Sequence, residues 1–383
     1  MNLIRYMRKD KNNKNSIFLC GSYHGNNLGD MAILDSTLKS IPAKYKIRIL
    51  SADPQKVLKV IDIEREVEFV KATSPFQILT AIFKSEHIVI GGGGLFFEKG
   101  LLDVLQFWKH SQLLVWVLIS FIAGVFNKKV VWLSVGIGPL TGWGKFLIKI
   151  ALTFVDKVVV RDESSYRILT RTLVYAKCVL GSDIVFLNRD QQKVKQIHKD
   201  KKNDNKNIKI GLMLRKGAEG KGGISRFIYS LKETISNCKI SVLSTNPGRD
   251  DEFNKSISTD TGIDFINTQN LNLNEFSNIL SKFDLVISMR MHGLILAYQE
   301  GVIGFGIPGL KKQHRGTEFV HKVKQLQKEL YQDENLYSDN FIDSDSVEKV
   351  RYVIENFEQL REISLNKYKH LFDLARKNIS LFE

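Results

Sequence analysis

The chain has 383 residues, 43% of them hydrophobic, which suffices for two domains with sizeable cores. A formal charge of +15 points to acidic partners: nucleic acid, an anionic membrane surface or a phosphorylated small molecule. No zinc-finger spacing, RNP motif or basic heptad region is present, so nucleic acid is set aside, and the longest apolar run, Leu113 to Phe126, falls short of the roughly 20 residues that span a bilayer.

The basic N-terminus lacks the apolar stretch of a signal peptide, and Cys20, Cys178 and Cys238 form no CxxC pair; both features suit a reduced cytoplasm. Ser16 to Cys20 reads as a strand and Met31 to Ser40 as a helix ended by Pro42. Strands follow at Lys46 to Ala52, Val67 to Lys71 and Glu86 to Ile90, the last running into four glycines. Asp103 to Phe126 reads as helical, its apolar part either a buried core helix or one that touches a membrane interface. Val130 to Val135 is a strand, Trp143 to Phe154 a helix, Lys157 to Arg161 a strand and Ser164 to Arg171 a helix, and Ala176 to Leu180 closes this half. Asn188 to Asn207 is dense in Lys, Asp, Asn and Gln and reads as a helix end plus a solvated linker. The pattern restarts with strands at Ile208 to Leu214, Lys239 to Ser244, Ile263 to Asn267, Asp284 to Ser288 and Val302 to Gly306, with helices between. After Asp343 come one or two helices, Ser346 to Ile363 and Asn366 to Asn378, with Val347, Val350, Ile354, Phe357 and Leu360 at helical spacing. Such alternation predicts an α/β fold with two Rossmann-like domains facing a cleft, residues 1–190 and 208–343. Residues 191–207 form the expected linker and 344–383 the C-terminal helices.

Chemistry is expected in the loops after the strands. Gly21 to Asp30 precedes a helix but is neither GxGxxG nor a Walker-type loop, which argues against dinucleotide or P-loop binding. Asp30 is either the helix cap or, with Asn27, a holder of sugar hydroxyls; His24 reads as a surface loop residue ahead of a base. Gly91, Gly92, Gly93 and Gly94 imply that something approaches the backbone closely, either a ligand or a neighbouring helix, and Gly136-Ile137-Gly138-Pro139 repeats that logic. Arg161 can pair with Asp162 or point at the cleft, and Asp183 is a turn residue or a cleft carboxylate. Arg215, ending a strand, is a candidate for a phosphate pocket; Lys311, Lys312 and Arg315 either line it or are merely exposed. The sharpest signal is Ser288-Met289-Arg290-Met291-His292-Gly293, at the carboxyl end of a buried strand where a helix begins. Helix-start N–H groups, a guanidinium and an imidazole would converge there on an anion such as phosphate; the alternative is an ordinary loop with a surface arginine. No cluster has metal-ligating spacing, so neither metal nor cofactor is expected.

Taken in order, these pieces resemble the polysaccharide pyruvyl transferase family. They are Asn27-Leu28-Gly29-Asp30, the glycine run after Ile90, Ser134 to Pro139, Val160 to Ser164, Asp183 to Phe186, and Ser288 to Gly293. The family's usual leucine between the last Arg and His is Met291 here, and the proline often found after the Asp is absent at Ile184. The resemblance implies a GT-B-like fold, a phosphoenolpyruvate donor, and a pyruvate ketal bridging two hydroxyls of one sugar, commonly on a lipid-linked precursor. It makes Arg290 and His292 donor-site residues, joined in the expected donor pocket by Gly293, Arg215 and Lys312. His292 is expected to protonate or stabilise the leaving phosphate, and Asp30 or Asp183 to accept a sugar proton. Asn27, Asp30, Gly92, Gly93 and Gly94 are expected on the acceptor side. The expected enzyme is cytoplasmic and held by charge at the inner face of the membrane. A GT-B glycosyltransferase using a nucleotide-sugar, or a non-catalytic anion- or glycan-binding protein, are the competing readings.

Overall fold

Aliphatic and β-branched runs build two parallel sheets. The computed structural model describes residues 15–97, 112–201, 207–217, 221–307, 322–338 and 344–381. The first sheet contains β1 (Ser16–Cys20), β2 (Lys46–Ser51), β3 (Val67–Lys71), β4 (His87–Phe96), β5 (Lys129–Ile137), β6 (Lys157–Val160) and β7 (Cys178–Leu180), ordered β3-β2-β1-β4-β5-β6-β7. The second contains β8 (Ile208–Met213), β9 (Cys238–Leu243), β10 (Asp264–Phe265), β11 (Leu285–Ser288) and β12 (Ile303–Gly306), ordered β10-β9-β8-β11-β12. Strand order reverses between β1 and β4 and between β8 and β11, and crevices open at such switch points beyond the strands' carboxyl ends.

The helices in the first half are α1 (Leu28–Ser40), α2 (Pro54–Val60), α3 (Pro75–Lys84), α4 (Gln112–Val125), α5 (Gly142–Leu152) and α6 (Glu163–Arg167). Then come α7 (Gln191–Asp200), α8 (Lys221–Thr234), α9 (Pro247–Thr261), α10 (Leu273–Leu280), α11 (Met291–Gln299), α12 (Lys322–Tyr331), α13 (Ser344–Glu355) and α14 (Phe357–Arg376). Side chains alternate across the first sheet, as a pleated strand requires. Phe18, Ile88, Ile90 and Trp132 meet α3, α4 and α5 on one face. Ile17, Leu19, Val89 and Leu133 lie on the other, in a core that continues through Ile184 to Phe186 into the second sheet.

Several elements differ from the sequence reading. β4 does not stop at Ile90 but runs through the glycines, pairing Gly91 with Leu133 and Phe96 with Ile137 across a register shift. Gly92 and Gly93 have φ of +67° and +86°, which other residues rarely adopt, so the strand bulges without ending. Helices α2 and α3 were not read from the sequence, although Asp53-Pro54 and Ser74-Pro75 each combine a capping side chain with a proline at the helix start. In place of a solvated linker, α7 covers residues 191–200 and buries Val194 and His198. The break between the C-terminal helices falls at Asn356, ten residues before the expected second helix at Asn366. Helix α14 packs on both halves: Tyr368 Oη donates to the Phe186 carbonyl (3.0 Å), and its ring lies 5.4 Å from that of Tyr298. Residues 1–14, the first part of the expected Asp103–Phe126 helix, and Lys311, Lys312 and Arg315 lie outside the described residues. Among the described residues no helix is long and apolar enough to cross a membrane.

Candidate functional site

On the second sheet, β8 and β11 deliver their ends side by side. Ser288 Oγ accepts the Arg290 N–H and donates to the Arg290 carbonyl, both at 2.9 Å, which fixes Arg290 as the residue before α11. The Arg290 guanidinium pairs with Asp250, a fully buried carboxylate in the first turn of α9. The other Asp250 oxygen accepts the Lys216 N–H at 3.1 Å. Arg215 lies beside this pair; burial, then the positive charges of Arg290 and Arg249, pull its guanidinium down to about 10 against the opposing Asp250. The Nε atoms of Arg215 and Arg290 are buried without an acceptor. Arg290 and Arg215 thus stand at one carboxylate, with Arg249 close to Arg215, next to the first-turn N–H groups of Met291, His292 and Gly293, which have no carbonyl to bond within their helix. An anion with several oxygens would complete this arrangement. Gly293 itself seats the helix: a side chain there would collide with Met213 Sδ and approach Ser288 Oγ to 3.1 Å.

Asp183 comes from the first half. It caps the short 3₁₀ turn Ile184–Leu187, its Oδ1 accepting the Val185 N–H at 3.1 Å. Its Oδ2 meets Arg161 Nη1 at 3.0 Å and His292 Nε2 at 3.3 Å. Ser134 clamps this turn, accepting the Ile184 N–H (3.0 Å) and donating to the Ser182 carbonyl (3.2 Å), with a φ of +52° that is uncommon for serine. Arg161 leans on Gly136, where a Cβ would come within 2.9 Å of its Nε. Burial raises the Asp183 carboxyl, but His292, Arg161 and the Val185 N–H together outweigh it and hold the group at about 2. Asp183 is therefore both turn residue and cleft carboxylate. Asp183 is thus held ionised between Arg161 and His292.

The halves meet over the start of α1. The Leu28 N–H donates to the Thr245 carbonyl at 2.8 Å. The His292 ring lies on Gly29, where a Cβ would stand 2.5 Å from Nδ1. The glycine of the Asn27-Leu28-Gly29-Asp30 loop is thus the seat of a histidine from the other half. Asn27, not Asp30, caps α1: its Oδ1 accepts the Gly29 N–H (3.1 Å) and its Nδ2 donates to Asp30 Oδ2 (2.8 Å). Burial raises the half-buried Asp30 carboxyl, opposed by His292, Asn27, His24 and Arg161. His24, read from sequence as a surface residue, is half-buried beside Asp30 and is lowered first of all by burial.

The glycine run divides by role. Gly92 makes room for Ile33 of α1, so a neighbouring helix accounts for it; Gly93 borders both Ile33 and Asp30, and Gly94 lies against Lys322 Nζ. No motif marks Lys322, and sequence reasoning missed it. It opens the described part of α12 and lines the cleft with Arg161, Asp162, Asp183, Met291 and Glu329. Burial, then Arg161, pull its ammonium down to about 7, with Asp162 opposing. Asp250 was missed too, hidden in the polar run Arg249-Asp250-Asp251-Glu252. Among the expected donor residues, Lys312 lies outside the described residues.

A sequence model of polysaccharide pyruvyl transferases matches residues 27–308. Among curated proteins none matches the chain. Solved structures resemble it over nearly its full length. A Rickettsia africae glycosyltransferase is 13% identical with a TM-score of 0.56, covering 97% of this chain and 98% of its own. Anabaena HepE, solved with UDP-glucose, is 12% identical with a TM-score of 0.55, at 96% and 98% coverage. The UDP-GlcNAc 2-epimerase of Methanocaldococcus jannaschii is 13% identical with a TM-score of 0.51, at 89% and 91%. At such identities the likeness is one of fold, a GT-B-like pair of Rossmann-type sheets.

Proposed function

The chain belongs to the polysaccharide pyruvyl transferase family, and from that premise we propose that it transfers the pyruvyl group of phosphoenolpyruvate to two hydroxyls of one sugar on a lipid-linked precursor. The first half (1–190) takes the acceptor and the second (208–343) the donor phosphate. The observation that carries this reading is the Arg215 and Arg290 pair at the start of α11, two cations at one carboxylate, with Arg249 close to Arg215. Phosphoenolpyruvate brings a phosphate and a carboxylate, and a second cationic surface, Arg161 and Lys322, lies nearby.

The chemistry needs an acid for carbon, an acid for phosphate and a base for each hydroxyl. An ammonium near 7 suits the first task, so Lys322 donates a proton to the methylene carbon, which becomes a methyl group. The adjacent carbon, now cationic, takes the first sugar oxygen as Asp30 accepts that hydroxyl's proton. His292, steadied by Asp183, donates a proton as the C–O bond to phosphate breaks. The second sugar oxygen then closes the ketal, and its proton restores His292. Atoms balance as phosphoenolpyruvate plus a diol giving a ketal plus phosphate, and the proton left on Asp30 passes back to Lys322 through solvent to reset the site. Asn27 acts by holding Asp30 in place.

The test is phosphate release from phosphoenolpyruvate with a panel of lipid-linked sugars, analysed by mass for one pyruvate added with loss of water. Release that requires both substrates supports the reading. The competing donor is a nucleotide-sugar, since HepE binds UDP-glucose and an arginine cluster also suits a diphosphate. Turnover of a UDP-sugar with no phosphate from phosphoenolpyruvate would replace the first reading with the second.

A further inference from the structure

Helices α3, α4 and α5 cover one face of the first sheet, and each leaves large aromatic side chains exposed on its outer side. Phe76 on α3, Phe121 on α4, and Trp143 and Phe146 on α5 are between 42% and 78% exposed. Aromatic contacts bridge the helices. Phe83 meets Phe126 at 4.5 Å, Phe121 meets Phe154 at 5.0 Å, and Trp143 stacks on Phe146 at 5.3 Å. Singly exposed apolar residues need no explanation, but a joined set of large aromatics marks an interaction surface. Its charge is one-sided. The three helices carry Lys84, Lys145 and Lys149 and no Asp or Glu, and Lys128 and Lys129 follow α4.

We propose that this outer face of α3, α4 and α5 is a docking surface for an anionic lipid bilayer, with Trp143 and Phe146 entering the interface and the lysines pairing with lipid phosphates. Lysine-rimmed tryptophan and phenylalanine match the layered polarity of a membrane interface. A second copy of the chain would bring five lysines against five, with Glu86 beside Lys128 as a nearby offset. The surface is also connected to the site along the chain: α5 follows β5, whose Gly136 seats Arg161. That connection matters only under the lipid-linked acceptor proposed above, whereas the docking itself is measured with no acceptor present.

The experiment is flotation of the full chain with phosphatidylcholine vesicles, with and without phosphatidylglycerol. Expected is recovery that depends on the anionic lipid, with binding weakened about tenfold or more in Trp143→Ser/Phe146→Ser and in Lys145→Gln/Lys149→Gln. Salt near 1 M should weaken wild-type binding without abolishing it, since screening leaves the apolar contact intact. Among the described tryptophans, Trp116 and Trp132 are buried, so a blue-shifted emission on vesicle binding reports Trp143 and disappears in Trp143→Phe, which still floats. Thermal unfolding and turnover of a water-soluble acceptor analogue verify that the variants fold. Folded serine variants that bind like wild type would overturn the proposal. So would a wild type that ignores anionic vesicles, or a lipid-free dimer that the serine substitutions dissociate. Failure of phosphate release with normal flotation removes the donor reading and leaves the docking surface standing.

Discussion

Arg215 and Arg290 serve the same proposed pocket but differ as experimental probes. Replacing Arg290 removes the side chain that ion-pairs with buried Asp250, leaving it the Lys216 N–H and the charge of nearby Arg215, and breaking a buried pair costs up to about 3–5 kcal/mol. Arg290→Ala should therefore unfold at a clearly lower temperature; a wild-type melting curve would refute the structural role of the pair. Arg215 has like-charged neighbours, so Arg215→Ala should keep or raise the melting temperature. It should also weaken donor binding roughly ten- to a hundredfold, one or two charge-assisted hydrogen bonds. Titration of phosphoenolpyruvate against both variants separates the two effects. Lys322 has a pH signature. A general acid at about 7 loses its proton as pH rises, so kcat at saturating donor should fall through that region. In Lys322→Arg that limb should vanish, and its persistence would remove Lys322 from the proton path. The residues visible in the sequence, Arg290, His292, Asp30 and Asp183, lie next to glycines or at strand ends. Asp250 and Lys322 owe their places to contacts between distant segments, and local pattern carries no trace of those.

Elements were legible where one periodicity governed them. Strand β1 has the limits read from its unbroken apolar run, as a buried parallel strand does, and the edge strand β3 has those read from its Val67-Glu68-Phe69 alternation. Helix α7 was not legible, since its composition suits a solvated segment and only Val194 and His198 turn inward. His198 Nε2 donates to the Tyr298 carbonyl at 2.7 Å and ties α7 to α11. Burial leads in lowering His198 to about 4, with Arg361 and Lys201 adding to it against that hydrogen bond. In the unfolded chain an ordinary histidine takes up its proton near 6.5, so between about 6.5 and 4 the unfolded state binds more protons. Stability should fall as pH drops through that window, by about 3 kcal/mol in all. Urea unfolding at pH 7 and pH 5 should show a smaller difference in His198→Gln than in wild type; equal differences would exclude His198 as the source. Gly29→Ala tests the seat of His292. Its methyl group would displace the ring from Asp183, so kcat should fall at least about tenfold while secondary structure persists. Full activity would show that the ring does not need that position.

At the scale of the whole molecule, two parallel sheets and a cleft were predictable from β–α alternation, but the way the halves join was not. The seam depends on Leu28 meeting Thr245, on His292 lying over Gly29, and on a core shared through Ile184 to Phe186. A ligand held across that seam should stabilise both halves together. Phosphoenolpyruvate at about 100 times its dissociation constant should add about 2.7 kcal/mol, seen as a single melting transition moved upward. Uridine diphosphate should move it less, and the reverse order would favour the nucleotide-sugar reading. The turn that aims Asp183 has one further dependence. Ser182 Oγ donates to the carbonyl of Leu371, 189 residues downstream, and Asn378 Nδ2 reaches the Ser182 carbonyl at 3.3 Å. During synthesis the first sheet emerges from the ribosome long before that clamp can form. A nascent chain stalled before α14 should therefore hold its carboxylate loosely and leave the donor unconsumed. Turnover should appear only once α14 has been released and docked, after both sheets have formed.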